Sequence, residues 1–194
     1  VTIVNEDGSI AITATIDVSG GAGNGAGVAG NGGTIQLKTA KPTAAAATIT
    51  QTVPILGTGT VGGFLKVVAP DDVTLQNSAN DMGTLAASVT VTGKFFKYTD
   101  ANNIEVGTVP TLGSLTAPSG TSASQSSLSG ITTVGGTTGL ISVSTVNGSI
   151  TVTQTVEVQT GSATISLDAN STGATANIAI NAPVRSVGGT IDVF

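Results

Sequence analysis

The residues of this sequence best equipped for chemistry are its acids. Asp71 and Asp72 adjoin in a turn behind Pro70, and Asp81, Asp100, Asn102 and Asn103 sit in Asn-containing turns further on. Paired carboxylates cleave glycosidic bonds when they face one another across a groove. Oxygen-rich loops also suit calcium, either through Asp71, Asp72 and Asp81 or through Asp100, Asn102 and Asn103. A structural Ca2+ ion is therefore the one cofactor the residues suggest. Against both uses, no EF-hand spacing and no calcium-binding nonapeptide repeat occurs, and solvation of a turn already accounts for an Asp-Asp pair. The sequence contains no His and no Cys, which removes the commonest general base, the thiol nucleophile and the usual zinc ligands.

Two further stretches stand out. Phe95, Phe96, Lys97 and Tyr98 hold most of the aromatic content and form a candidate contact patch for a sugar or a partner protein. In an alternating strand Phe96 and Tyr98 share one side and Phe95 and Lys97 the other, so one pair is expected to fill the interior. The glycine-rich residues 20–33, GGAGNGAGVAGNGG, lack the G-K-[ST] ending of a phosphate cradle. They are read as a flexible surface loop that permits close backbone approach.

The elements that position these residues follow from composition. Hydrophobic residues make up 39% of the 194, aromatics only 3% and charged residues 9%. Short runs of Val, Ile, Leu and Thr split by Gly, Asn and Ser favour strands around a narrow interior. The net charge is −5, and six Lys and Arg are scattered between Lys38 and Arg185, which gives no footing for nucleic acid. No apolar stretch approaches the roughly 20 residues of a membrane-spanning helix, and no signal-peptide pattern is present. The pattern is already strand-like at Val1 and still so at Phe194, so the chain is expected to be one segment, residues 1–194, of a longer solenoid.

An internal repeat fixes the architecture. DGSIAITATIDV at residues 7–18 aligns without a gap to NGSITVTQTVEV at residues 147–158. TIQL at 34–37 then answers TISL at 164–167, ITQTVPI at 49–55 answers IAINAPV at 178–184, and GGFLKV at 62–67 answers GGTIDV at 188–193. Order is kept while connections change length, as in solenoids. Within each copy Ile150, Val152 and Val156 recur as Ile178, Ile180 and Val184, and Ile10, Ile12 and Ile16 as Ile49, Gln51 or Val53, and Ile55. Clean alternation in SITVTQ and TISLD puts Ile and Val on one face and Thr, Ser and Gln on the other. The fold class expected is all-β, a right-handed parallel β-helix with loop excursions. A β-sandwich is the rival, but its thick core usually needs larger aromatics.

Related coil blocks are placed at 1–67 and 141–194, with an irregular middle block at 68–140. Within it residues 110–130, rich in Ser, Thr, Gly and Pro, are read as an irregular excursion from the coil in preference to a hairpin. The coil resumes at Leu140, where LISVS answers VTIVN at Val1.

Residues 73–109 carry NDMGTL at 80–85 and TDANNIEVG at 99–107, followed downstream by NGSITVTQTVEV. These resemble the strand-and-turn repeats of filamentous-haemagglutinin-like large adhesins and autotransporter passengers of Gram-negative bacteria. The resemblance covers nearly the whole chain, although no amino-terminal secretion domain or toxin module is recognisable in it. It implies a secreted, cell-surface β-helix serving adhesion, aggregation or biofilm, with repeats that are scaffold and carry no catalytic residues. Expected partners are other coils or copies of the protein at the β-helix ends and a surface protein or glycan of a host or neighbouring cell. Alternatives are a self-assembling subunit of an extracellular filament or surface layer, and a β-helix carbohydrate-active enzyme.

Overall fold

The computed structural model describes residues 1–23, 27–40, 46–116, 122–172 and 175–194. Strands alone make up its regular structure. Coil one comprises β1 (Thr2–Asn5), β2 (Ile10–Ile12) and β3 (Ile16–Asp17), and coil two β4 (Thr34–Thr39), β5 (Ile49–Gln51) and β6 (Ile55–Leu56). Coil three has β7 (Phe64–Ala69) and β8 (Val73–Leu75), and coil four β9 (Thr84–Val89) and β10 (Phe96–Asp100). Coil five begins with β11 (Ile104–Val106), leaves through β12 (Thr108–Val109), β13 (Leu112–Thr116), β14 (Ser122–Gln125) and β15 (Leu128–Ser129), and resumes with β16 (Ile131–Thr133) and β17 (Leu140–Thr145). Coils six and seven are β18 (Ile150–Val152), β19 (Val156–Val158), β20 (Thr164–Ala169), then β21 (Ile178–Ile180), β22 (Val184–Ser186), β23 (Ile191–Val193).

Every coil-to-coil pairing is parallel, and two sheets run the length of the stack. The ten-stranded sheet follows β1-β4-β7-β9-β11-β18-β21, with β16, β19 and β22 beside it; the seven-stranded sheet follows β2-β5-β8-β10-β17-β20-β23. The fold is a right-handed parallel β-helix, the hand that parallel crossovers take, and the sandwich is excluded. A third, shorter face pairs β3 with β6 and continues as a bridge from Leu56 to Asp81.

Alternation delivers the core. Because the register passes from coil to coil unbroken, inward residues stand over one another about 4.8 Å apart. One ladder in the ten-stranded sheet runs Ile3, Leu37, Val67, Ala87, Ile131, Val156, Val184. In the seven-stranded sheet Ile10, Ile49, Val73, Phe96, Ile141, Ile165 and Ile191 form another. The central rungs are fully buried. Of the two candidates to stand over Ile12, the structure selects Gln51.

The sequence repeat and the sheets are out of phase. Ile10–Ile12 lies in the seven-stranded sheet, whereas its counterpart Ile150–Val152 lies in the ten-stranded one. Early coils carry their long strand in the ten-stranded sheet and late coils in the other. Coil four makes the change by carrying long strands in both. Six-residue β9 then receives two short strands: Val106 stands over Leu85, and Ile131 over Ala87.

The excursion between those two strands is a hairpin, which corrects the expectation of an irregular loop. β12 pairs antiparallel with β15, and β13 with β14; residues 117–121, between β13 and β14 in the sequence, lie outside the described residues. Its base is closed by the Gly130 amide donating to Gly107 O at 2.9 Å. Gly130 has φ +70°, and a Cβ there would collide with the Thr155 carbonyl oxygen. The return to the coil therefore requires glycine.

The glycine-rich segment is also corrected as far as it is described, since residues 24–26 are not. It is tied down: the Gly20 amide donates to Thr58 O at 2.7 Å, Gly32 to Val61 O at 2.8 Å, and Thr60 to Gly30 O at 3.1 Å. Glycine backbone packs on the Gly57–Gly63 corner of the next coil.

Leu85→Ala, at a fully buried rung, is expected to cost about 2–5 kcal/mol, while Thr151→Ala on the outer row should stay within about 0.5 kcal/mol. Urea unfolding of both variants checks this; equal losses would mean the ladder does not carry the stability.

Candidate functional site

The structure divides the aromatic quartet. Phe96 and Tyr98 are fully buried rungs, so their assignment to ligand contact is corrected: a side chain stacked between Val73 and Ile141, or between Leu75 and Val143, meets no ligand. Phe95 and Lys97 face outward as alternation requires, with the Lys97 ammonium 4.6 Å from the Phe95 ring centroid. That cation–π contact occupies both residues locally.

The calcium grouping is likewise corrected. Asp71 turns inward, accepts the Ala47 amide at 3.0 Å and pairs with Lys94 at 2.7 Å. Asp72 accepts the Phe95 amide at 3.1 Å, with Lys94 3.8 Å from its other oxygen. The pair thus clamps coils two, three and four together, and the Asp71 hydrogen bond holds the Lys94 ammonium above its ordinary pKa. Asp81, Asn102 and Asn103 do line one surface recess of about 370 Å3, but Asn103 Oδ1 already accepts the Ser149 amide at 2.7 Å. Among the described residues no three acidic, His or Cys side chains converge.

Asp100 is fully buried. Its Oδ2 accepts Tyr98 OH at 2.5 Å and the Met82 amide at 3.0 Å, and its Oδ1 the Asn102 amide at 2.9 Å. Burial pushes its pKa up to about 7 against the pull of those donors. Tyr98 is raised well above the ordinary phenol range by burial first and by the Asp100 charge second. Beside it Asn80, equally buried, joins three coils. Its Nδ2 donates to Gln51 Oε1 at 3.1 Å, Leu75 O at 3.1 Å and Thr99 O at 2.9 Å, while its Oδ1 accepts the Ile55 amide at 2.9 Å and Gln51 Nε2 at 2.8 Å. These N-D and T-D turns are corner joints.

Sequence reasoning missed the remaining polar site. Outward positions Gln36, Lys66 and Ala86 stand in one row, yet all three are buried because the hairpin base lies across them. Lys66 Nζ donates to Ser126 O at 2.5 Å. Gln36 and Lys66 line a recess of about 230 Å3 together with Lys38, Val68, Ser88, Ser126, Ser127 and Leu128. Two of the six cations gather there with no acid among the lining residues. Register alone would have put Lys66 beside Gln36; only the course of the hairpin covers them.

No protein-family model matches the chain, and neither a curated protein nor a solved structure matches it.

Two outcomes test the corner. Asp100 has a raised folded-state pKa, so its contribution is fully present below the ordinary carboxylate pKa and is lost as pH rises through about 7. Melting temperature should fall between pH 5 and pH 8, and Asp100→Asn should flatten that dependence. Asn80→Leu leaves the Ile55 amide and the Leu75 and Thr99 carbonyls unpaired, each costing about 1–3 kcal/mol. A loss above about 3 kcal/mol is expected in denaturant unfolding.

Proposed function

We propose that this chain is a length of the structural shaft of a secreted or cell-surface adhesin of the filamentous-haemagglutinin-like kind, mediating adhesion or aggregation without catalysis of its own. The observation that carries this reading is the pair of sheets running through seven coils with apolar ladders inside and Thr and Ser rows outside. Such a stack supplies length and stiffness, since each coil is braced by both neighbours. The turns on which the family resemblance rests, residues 80–85 and 99–107, support it as well, because they form the corners where Asn80 and Asp100 join the coils. Among the described residues no helix is long and apolar enough to cross a membrane.

A second reading is a subunit of an extracellular filament or surface layer. The rungs of coil seven are uncovered, with Ile180 48% and Val193 46% exposed, and such edges pair equally with a further coil of the same chain or with a coil of another copy. The carbohydrate-enzyme reading needs two carboxylates facing one groove, whereas Asp71, Asp72 and Asp100 are occupied within the corners.

Intact mass of the native protein, purified from its own cells under denaturing conditions, separates the first two readings. A mass far above 18.7 kDa with these peptides internal is expected of the shaft. A mass of 18.7 kDa would overturn it in favour of the stacking subunit.

A further inference from the structure

The recess beneath the hairpin holds charges and acceptors that the coil does not use. Lys66, 4% exposed, has its ammonium against one carbonyl oxygen, that of Ser126, and no carboxylate. Burial, aided by the neighbouring Lys38 charge, pulls its pKa below the ordinary lysine value. Lys38 stands diagonally across from it, one strand over and two residues along, within reach of the same anion. It has no ion-pair partner among the described residues. A buried cation without a counter-charge is costly, and an anion seated between Lys66 and the half-buried Lys38 relieves the cost.

Gln36 adds a second requirement. It is 2% exposed, and its Oε1 has no hydrogen-bond partner. An unpaired buried acceptor demands a donor, which an inorganic anion does not bring. The Ser127 hydroxyl in the lining can donate or accept, and that of Ser88, which accepts Thr132 Oγ1 at 3.3 Å, can still donate. A neutral sugar could satisfy Gln36 and the serines but would leave both ammoniums uncompensated. The group that meets all of these is a carboxylate flanked by hydroxyls. The volume of about 230 Å3 lies below the range of drug-sized pockets and fits a single ring.

We propose that the recess bounded by Gln36, Lys38, Lys66, Ser88 and Ser127 binds one uronate residue of an acidic polysaccharide, its carboxylate between the two lysines and a ring hydroxyl donating to Gln36 Oε1. The site goes beyond the shaft reading and does not depend on it, since a stacking subunit would carry it equally. It also places the hairpin's role at its base, where β15 forms one wall.

The test is calorimetric titration of the whole 194-residue chain with trigalacturonate, beside neutral galactotriose and inorganic sulfate. Saturable binding of trigalacturonate is expected, with neutral trisaccharide and sulfate each at least tenfold weaker. Lys38→Gln leaves the Lys66–Ser126 bond in place, so the hairpin stays seated. It should weaken trigalacturonate at least tenfold with an unchanged melting temperature, and Gln36→Leu should do so severalfold. Sulfate binding as tightly as trigalacturonate, unchanged affinity in Lys38→Gln, or no saturable uronate binding would each overturn the proposal. None of these outcomes bears on intact mass, so the two proposals fail separately.

Discussion

Unbroken parallel register between coils is the constraint on which the rest of this structure depends. Parallel strands place like positions over like positions, so a choice made at one rung is imposed on the whole column. An apolar interior then becomes a set of continuous ladders, and Phe96 is accommodated only because Val73 below and Ile141 above are slimmer. Small β-branched residues are the natural material for such columns, which explains how a chain with 3% aromatics still buries its centre completely. The same constraint makes glycine necessary where backbone must lie directly on backbone, as between residues 30–32 and the Gly57–Gly63 corner.

Corners are where register meets polarity. A chain that turns between sheets leaves amides and carbonyls unpaired, and these are buried by the coils on either side. Asn80, Asp71 and Asp100 each answer this need by spanning two or three coils with one side chain. Asp71, Asp72 and Asp100, among the acids that look most chemical in the sequence, are thus consumed by structure. Asp100 illustrates the tension: three donors favour its charged form, and burial outweighs them enough to bring its pKa to about 7. The benefit is geometric, because Met82 and Tyr98 are fixed by one carboxylate oxygen.

Much of this was legible in the sequence, for a physical reason. Alternation and repetition are local properties, so Ile150–Val152 over Ile178–Ile180 and Ile10 over Ile49 could be read from spacing. That Phe95 and Phe96 face opposite sides followed from period two alone; which of them lies inward did not. The phase change was hidden, because a sequence repeat records strand order but not which sheet receives each strand. Only the extra long strand β10 beside β9 reveals it, and its hydrophobic pattern is that of any other strand. The hairpin between Gly107 and Gly130 was the less favoured reading for a different reason: its strands pair with each other and show no repeat with the coil.

That hairpin also decides what surface the coil offers. A bare outer row would leave Gln36 and Lys66 in water, where neither position carries any tension. Laying β12 and β15 across the row removes the water, and Ala86 provides the space for the crossing. Lys66 then has only a carbonyl oxygen for its charge, and Gln36 has no donor for its Oε1. A regular solenoid disperses polar groups evenly along its rows and so has no specificity in any one place. The insertion breaks that evenness at one point, converting two ordinary outward positions into groups whose hydrogen-bonding needs are unmet. Chemical selectivity on a repetitive scaffold arises where the repeat is interrupted.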